Sequence, residues 1–382
     1  MKDLISQSVT DQERINRIRL SLSDNIGPAT YHQIVEVYGS ASEAIEAIPD
    51  ILSGNSRSGR RIRLFDAGEA TDILEKTVAT GSKIITFGES DYPRLLAETI
   101  NPPPVLYVSG DTSFLNKPAC GIVGSRNCSA NGKRFTREVA RGLGISGWLV
   151  VSGLARGIDT AAHEASLETG TISVIATGLD IQYPPENASL QNSIAEHGCV
   201  VTEMPPGTGP RAELFPRRNR IIAGLSAGII VVEAALRSGS LITARIANEI
   251  DRDVFAVPGS PYDPRSEGTN KLIRDGANLI TNPQDVLSIL NSGHLYELVN
   301  PVMMENREAF EAVKAPNMSA FKSPDTAERE TIAALLGPDP VDMDTLIREA
   351  GLPSRVVQMI LVEMDLNGEL ERHSGQRVSR LL

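Results

Sequence analysis

Apolar and polar positions follow two rhythms along this chain. Between Pro118 and about Leu290, short apolar runs recur at Cys120–Val123, Trp148–Val151, Ser173–Ala176, Val200–Thr202, Gly228–Val232, Val254–Val257 and Asn278–Ile280. Helix-length amphipathic segments separate most of them, at Lys133–Leu143, Thr160–Leu167, Leu190–Glu196 and Leu241–Ile250. Runs apolar on both faces and separated by helices predict a parallel sheet covered on both sides. The fold class expected is α/β, a Rossmann-like doubly wound and mostly parallel sheet. Two further strands, Lys83–Phe87 and Pro104–Val108, flank the stiff connector Asn101-Pro102-Pro103-Pro104 and lead into it.

The ends of the chain have the other rhythm, short helices without strands between them. Glu13–Leu22, Tyr31–Tyr38 and Ser42–Ile48 are amphipathic, with a turn at Asn25–Ala29. This pattern predicts an N-terminal SAM-like or helix-hairpin-helix domain; the class often touches DNA backbone, and a small packing domain without ligand has the same pattern. Arg57, Arg60, Arg61 and Arg63 form a charge run, expected as a solvated helix face. Near the C-terminus, Glu328–Leu336, Met343–Glu349 and Ser354–Asn367 read as helices, and Gly368–Arg372 with Gln376–Ser379 as a hairpin, together a winged-helix-like domain. Its third helix, the recognition segment Ser354–Asn367, has Arg355 as its one base and carries Glu363 and Asp365, which favours protein contact over groove reading. The expected division is residues 1–80 helical, 81–290 the extended Rossmann-like domain, 291–326 a linker, and 327–382 the winged helix.

Composition narrows the function. A length of 382 residues allows several domains, and 41% hydrophobic with 22% charged residues is ordinary for a soluble protein. A net charge of −11 excludes a uniformly basic nucleic-acid binder, while leaving room for a basic pocket in an acidic body. Cys120, Cys128 and Cys199 have no metal-binding spacing and are expected as reduced thiols, two of them buried in strands. The start Met1-Lys2-Asp3-Leu4 does not resemble a signal peptide, and no apolar run approaches membrane-spanning length, so a cytoplasmic location is expected.

Candidate chemistry gathers after the strands, because ligands of open α/β sheets lie beyond the strands' C-terminal ends. The loops there read Gly124-Ser125-Arg126-Asn127, Ser152–Asp159, Thr177–Asp180 with Tyr183-Pro184, and Arg237-Ser238-Gly239-Ser240. Glycines let a backbone approach closely, hydroxyls and amides donate to phosphate oxygens, and arginines bind them bidentately. Taken singly, each loop is a tight strand-to-helix turn. Together with the segment Phe215-Pro216-Arg217-Arg218-Asn219-Arg220, preceded by Arg211, they predict a polyanion site. Pro216 suits a helix's first turn, which places the arginines at a helix N-terminus where free N–H groups and the dipole also attract anions. No Walker A sequence and no G-x-G-x-x-G loop occurs, so a dinucleotide cofactor is disfavoured and none is expected. Phe215 offers a stacking face for a base, or else a core residue at the loop's foot.

Catalytic candidates are few. Asp159 and His163, at i and i+4, could form an acid–imidazole pair or simply a cap and a packing contact. Glu203 and Glu233 end strands near the rim, either as a carboxylate pair for group transfer or as anchors for the arginines. A nucleotide-binding hydrolase acting on a small phosphorylated ligand, with Glu203 or Glu233 as acid/base, is the alternative function.

Four segments in order, Val123–Arg126, Ser152–Asp159, Phe215–Ser226 and Glu233–Ala244, resemble the DNA-processing protein A (DprA/Smf) family of bacteria. The resemblance implies a non-catalytic protein that binds single-stranded DNA entering during natural transformation, shields it from nucleases and helps load the RecA recombinase. It also implies a homodimer formed through the Rossmann-like domain. Ser125 and Arg126 match the family's Gly-Ser-Arg phosphate loop; Phe215, Arg218, Asn219 and Arg220 match its basic, stacking element; Arg217 falls at a variable, often basic position. One departure is Pro185, where some relatives carry a basic residue after Tyr183-Pro184.

Overall fold

A computed structural model of the chain describes residues 9–53, 63–292, 324–373 and 375–381. Of the arginine run, only Arg63 lies within these residues, and most of the expected linker lies outside them. Four helices open the chain: α1 (Asp11–Leu22), α2 (Pro28–Tyr38), α3 (Ala41–Ser53) and α4 (Ala67–Ala79). Thr10 caps α1 by accepting from the Glu13 N–H, and Pro28 starts α2 where its missing N–H has no partner to lose.

Nine strands form the central sheet: β1 (Lys83–Thr86), β2 (Val105–Gly110), β3 (Ala119–Val123), β4 (Leu149–Ser152), β5 (Thr171–Val174), β6 (Cys199–Thr202), β7 (Gly228–Val231), β8 (Asp253–Ala256) and β9 (Asn278–Leu279). Every residue of β3 through β7 is buried, which is why those strands are unbroken apolar runs in the sequence. The order is β1-β2-β6-β5-β4-β3-β7-β8-β9, parallel from β6 to β9. The β1–β2 pair is antiparallel and joins antiparallel to β6, extending the sheet at an edge whose pairing the sequence pattern could not specify. Cys120 and Cys199 are buried in β3 and β6, as expected.

Eight helices accompany this sheet: α5 (Arg94–Ala97), α6 (Ala130–Ile145), α7 (Ile158–Ser166), α8 (Ala188–His197), α9 (Leu214–Gly224), α10 (Gly239–Glu249), α11 (Glu267–Arg274) and α12 (Pro283–Leu290). One core holds Val139 and Leu143 of α6, Ala162 of α7 and Val286 of α12. A second holds Ile221 and Ile222 of α9 with Ala244 and Ala247 of α10. The chain winds from β3 through β6 in one direction and from β7 through β9 in the other. Loops leaving the adjacent strands β3 and β7 therefore diverge and open a crevice between them. None of the described helices is long and apolar enough to cross a membrane.

The C-terminal residues form α13 (Thr326–Leu335), α14 (Met343–Ala350) and α15 (Ser354–Leu366) with a small sheet ordered β10 (Val341–Asp342), β12 (Arg377–Arg380), β11 (Leu370–His373), a winged-helix arrangement. Asp325 and Glu328 close a capping box on α13. By contacts, the described residues of 8–72 and 314–382 form one compact unit, and those of 73–313 another.

Candidate nucleic-acid interface

The crevice holds a cleft of about 900 Å3 lined by ten of the twelve residues predicted for the site: Gly124, Ser125, Arg126, Arg211, Phe215, Arg218, Asn219, Ser238, Gly239 and Ser240. Arg126 is exposed on the loop after β3, its guanidinium 5.5 Å from the centre of the Phe215 ring. Tyr183 tilts against the same ring at 5.7 Å, so an exposed ring and a half-buried one stand together beside a cation. Arg211 is exposed on the wall. A smaller recess of about 250 Å3, also lined by Arg126, Phe215 and Tyr183, adjoins these rings.

Backbone geometry explains how the loops come so close. Gly157, the N-cap of α7, has φ +85°, and a Cβ there would collide with the carbonyl oxygens of Ser125 and Arg126. Leu154, at φ 59°, holds a left-handed conformation uncommon outside glycine, and the Asn187 side chain donates to its carbonyl at 2.9 Å. At the opposite wall Ser238 caps α10, its Oγ accepting from the Ser240 N–H at 3.3 Å. Gly239 is exposed with no atom within 4 Å of a Cβ built there, leaving the start of α10 open to an anion.

Helix α9 divides the arginine cluster. It begins at Leu214, two residues before Pro216, so Pro216 sits third in the helix, still where no intrahelical acceptor awaits an N–H. Phe215, Arg218, Asn219 and Ile222 are spaced i, i+3, i+4 and i+7, and all four line the cleft. Arg217 and Arg220 share a different face and do not line it. Arg217 Nε donates to Glu203 Oε1 at 2.8 Å, Arg220 Nη2 to Glu203 Oε2 at 2.5 Å, and Arg220 Nη1 to the Asn101 carbonyl at 3.2 Å. The expectation that all the arginines converge on one rim is corrected here: a single buried carboxylate holds these two elsewhere.

Arg218 also differs from expectation. Only 6% exposed, it is part of the cleft floor, with Nη1 donating to the Gly153 carbonyl at 2.5 Å and to the Val174 carbonyl. Burial pushes its guanidinium down to about 10, and nearby Asp159 opposes the shift. Burial pushes the Asp159 carboxyl up to about 6, opposed by Arg218 and by N–H donors that include Ala155. His163 is fully buried, its Nδ1 2.8 Å from Thr171 Oγ1, and burial pushes it down to about 3, so it stays neutral at pH 7. Asp159 and His163 thus carry the packing alternative, each with its own partners. Glu233 accepts from the Ser129 N–H at 2.9 Å and the Ser129 hydroxyl at 2.5 Å, anchoring the start of α6. With Glu203 closed by arginines, both strand-end carboxylates serve as anchors.

Among the other residues lining the cleft, Arg237 and Tyr183 add a cation and a ring beyond the expected site residues. Arg237, exposed on the cleft wall, belongs to the Arg237-Ser238-Gly239-Ser240 loop already read from the sequence, and a basic residue at the head of that loop was the available signal. Tyr183 was noted only as a loop residue; its ring contact with Phe215 is tertiary.

A doubly wound sheet whose switch point gathers exposed arginines, an open helix start and two mutually tilted rings defines a Rossmann-like α/β protein with a cation-lined cleft. The chain belongs to the DNA recombination-mediator protein A family, whose model matches residues 83–291; models of a DprA winged helix domain and a DprA-like N-terminal HHH domain match residues 316–376 and 11–75. It is 33% identical over 380 residues to protein Smf of Synechocystis, covering 93% of this chain and 96% of that one. It is 49% identical over 199 residues to DNA processing protein DprA of Streptococcus pneumoniae, covering 52% of this chain and 70% of the relative. The crystal structure of Streptococcus pneumoniae DNA processing protein A superposes with TM-score 0.61 at 34% identity, covering 74% of this chain and 98% of that one. DNA processing protein A of Helicobacter pylori, whose structure is described as revealing a single-stranded DNA binding mode, gives TM-score 0.51 at 32% identity, covering 54% and 94%.

Proposed function

We propose that this chain binds single-stranded DNA along the cleft at the β3/β7 switch point, as a recombination mediator that protects DNA entering in natural transformation and helps load RecA. The observation that carries this reading is the meeting of Arg126, Arg211 and Arg237 with the open start of α10 and the Phe215–Tyr183 pair in one cleft. Arginines and backbone amides clamp successive phosphates, and the rings stack bases of any sequence. The reading is non-catalytic, and the engagement of Glu203 and Glu233 as anchors supports it over the hydrolase alternative. In this proposal residues 81–290 grip the strand and pair with a second copy; β9, last in the sheet order with Leu279 50% exposed, supports that edge as the pairing surface. RecA would meet a separate surface, and residues 1–80 and 327–382 would not contribute to the clamp.

Fluorescence anisotropy with single- and double-stranded oligonucleotides at several salt concentrations tests the proposal. Three exposed arginines on single-stranded phosphates predict a log–log salt slope near −2, or about twentyfold weaker binding between ~50 and ~200 mM salt. Arg126→Ala should weaken binding about tenfold or more and reduce the slope by roughly 0.7. Unchanged affinity in Arg126→Ala would sink the cleft assignment.

A further inference from the structure

In groove-reading winged helices the second helix of the helix-turn-helix presents a free face to DNA. Here α15 has no such face. Val357, Ile360, Leu361 and Met364 belong to the winged helix's own core. Met359, Val362 and Leu366 belong to a different core, that of the N-terminal helices with Ile34 and Val37. From Val356 to Leu366 no residue is exposed. Polar contacts close the rim of this second packing surface. Arg355 Nη2 donates to the Val37 carbonyl at 3.0 Å, in the last turn of α2, where helix carbonyls carry partial negative charge. Glu363, 8% exposed, accepts from Arg329 at 2.8 and 3.1 Å. Burial, with the Glu363 carboxylate nearby, pushes the Tyr38 phenol up to about 12, which marks how far this end of α2 is enclosed.

We infer that the winged helix is a protein-binding domain whose recognition helix takes the chain's own N-terminal helical domain as its partner. The face that would enter a duplex groove is covered by α2, and the two ends of the polypeptide act as one module. The surface selects its partner by chemistry: an apolar helix face for Met359, Val362 and Leu366, and a helix C-terminus for the Arg355 guanidinium. A duplex would meet the wrong side chains, since Glu363 and Asp365 lie on this helix and Arg355 is turned to a backbone carbonyl.

Hydrogen exchange read by mass spectrometry on the full-length protein tests this. Val362→Asp places a charge in the shared core without touching a residue of the winged helix's own core, and should raise exchange across residues 28–38 by about tenfold or more. Arg355→Met keeps both cores and should raise exchange several-fold in the last turn of α2 alone, so the test stands even where Val362→Asp unfolds the winged helix. Protection of α2 should survive an approximately hundredfold dilution, as an intramolecular contact does. Duplex affinity should stay within about twofold of wild type in Arg355→Met. The inference is overturned if α2 exchange ignores both substitutions, if its protection disappears on dilution (the partner then being a second copy), or if Arg355→Met loses duplex binding tenfold.

Discussion

Arg218 decides between two accounts of the cleft, since its sequence position suggests a phosphate ligand and its surroundings suggest a buried strut. Arg218→Met removes the charge while keeping most of the side-chain length. Two carbonyls, of Gly153 and Val174, lose their donor, and Asp159 loses its buried counter-charge. Breaking a buried pair from one side destabilises by about 3–5 kcal/mol. Protonation of Asp159 limits the loss, and the sign follows from its raised pKa. Held up at about 6 against an ordinary 3.8, the folded carboxyl keeps its proton more tightly than the unfolded chain does. In the wild type its ionisation therefore opposes folding by about 3 kcal/mol above pH 6, and that cost fades as pH falls from 6 towards 4. The damage in Arg218→Met should accordingly be greatest at pH 7–8 and smaller at about pH 5. Asp159→Asn combined with Arg218→Met removes both charges and should recover about 1–3 kcal/mol relative to additive single changes. Urea unfolding of the four proteins at two pH values measures all of this. A variant Arg218→Met within about 1 kcal/mol of wild type, yet more than tenfold weaker on single-stranded DNA, would refute the strut and put the guanidinium on phosphate.

Two further outcomes follow from the division of α9. Arg217→Ala and Arg220→Ala should each leave single-strand affinity within about twofold, because both side chains are turned to Glu203 outside the cleft; the combined variant, leaving that buried carboxylate alone, should lose stability by about 3 kcal/mol in thermal or urea unfolding. Single-strand affinity should rise as pH falls from 7.5 to about 5.5, when Asp159 takes up a proton and the cleft gains positive charge, and Asp159→Asn should bind more tightly at pH 7.5 with a flatter pH profile. Anisotropy titrations at constant ionic strength check this, and identical profiles for the two proteins would remove Asp159 from the cleft's electrostatics.

Much of this molecule can be read from its residues because burial on both faces leaves a strand no polar positions. The runs at Cys120–Val123 and Val200–Thr202 could hardly be anything else, and once the strands stand, the loops after them name the rim. The division of the arginine cluster was present too. Phe215, Arg218, Asn219 and Ile222 have the spacing of one helix face, but treating four neighbouring polar residues as one basic patch hid it. Other features depend on pairings that no local pattern encodes. Glu203, just past the end of β6, reaches two arginines of α9 through tertiary pairing alone, and Asp159 on α7 meets Arg218 on α9 only in the folded chain. The antiparallel entry of β2 against β6, and the cover over α15, are likewise choices among surfaces of similar composition.

A protein of net charge −11 can hold a polyanion only if its cations are placed rather than numerous. In the central domain, carboxylates set the position of positive charge. Glu203 draws Arg217 and Arg220 away from the cleft, and Asp159 offsets Arg218 in its floor. What faces the open cleft is then Arg126, Arg211 and Arg237, exposed and on three separate loops. Cations on separate loops match the spacing of a chain of phosphates better than a single cluster does, because each can take its own bidentate contact. The net negative charge of the whole chain would disfavour DNA on surfaces without such placed cations. Selectivity for single strands would then come from Phe215 and Tyr183, whose stacking requires bases that a duplex keeps paired.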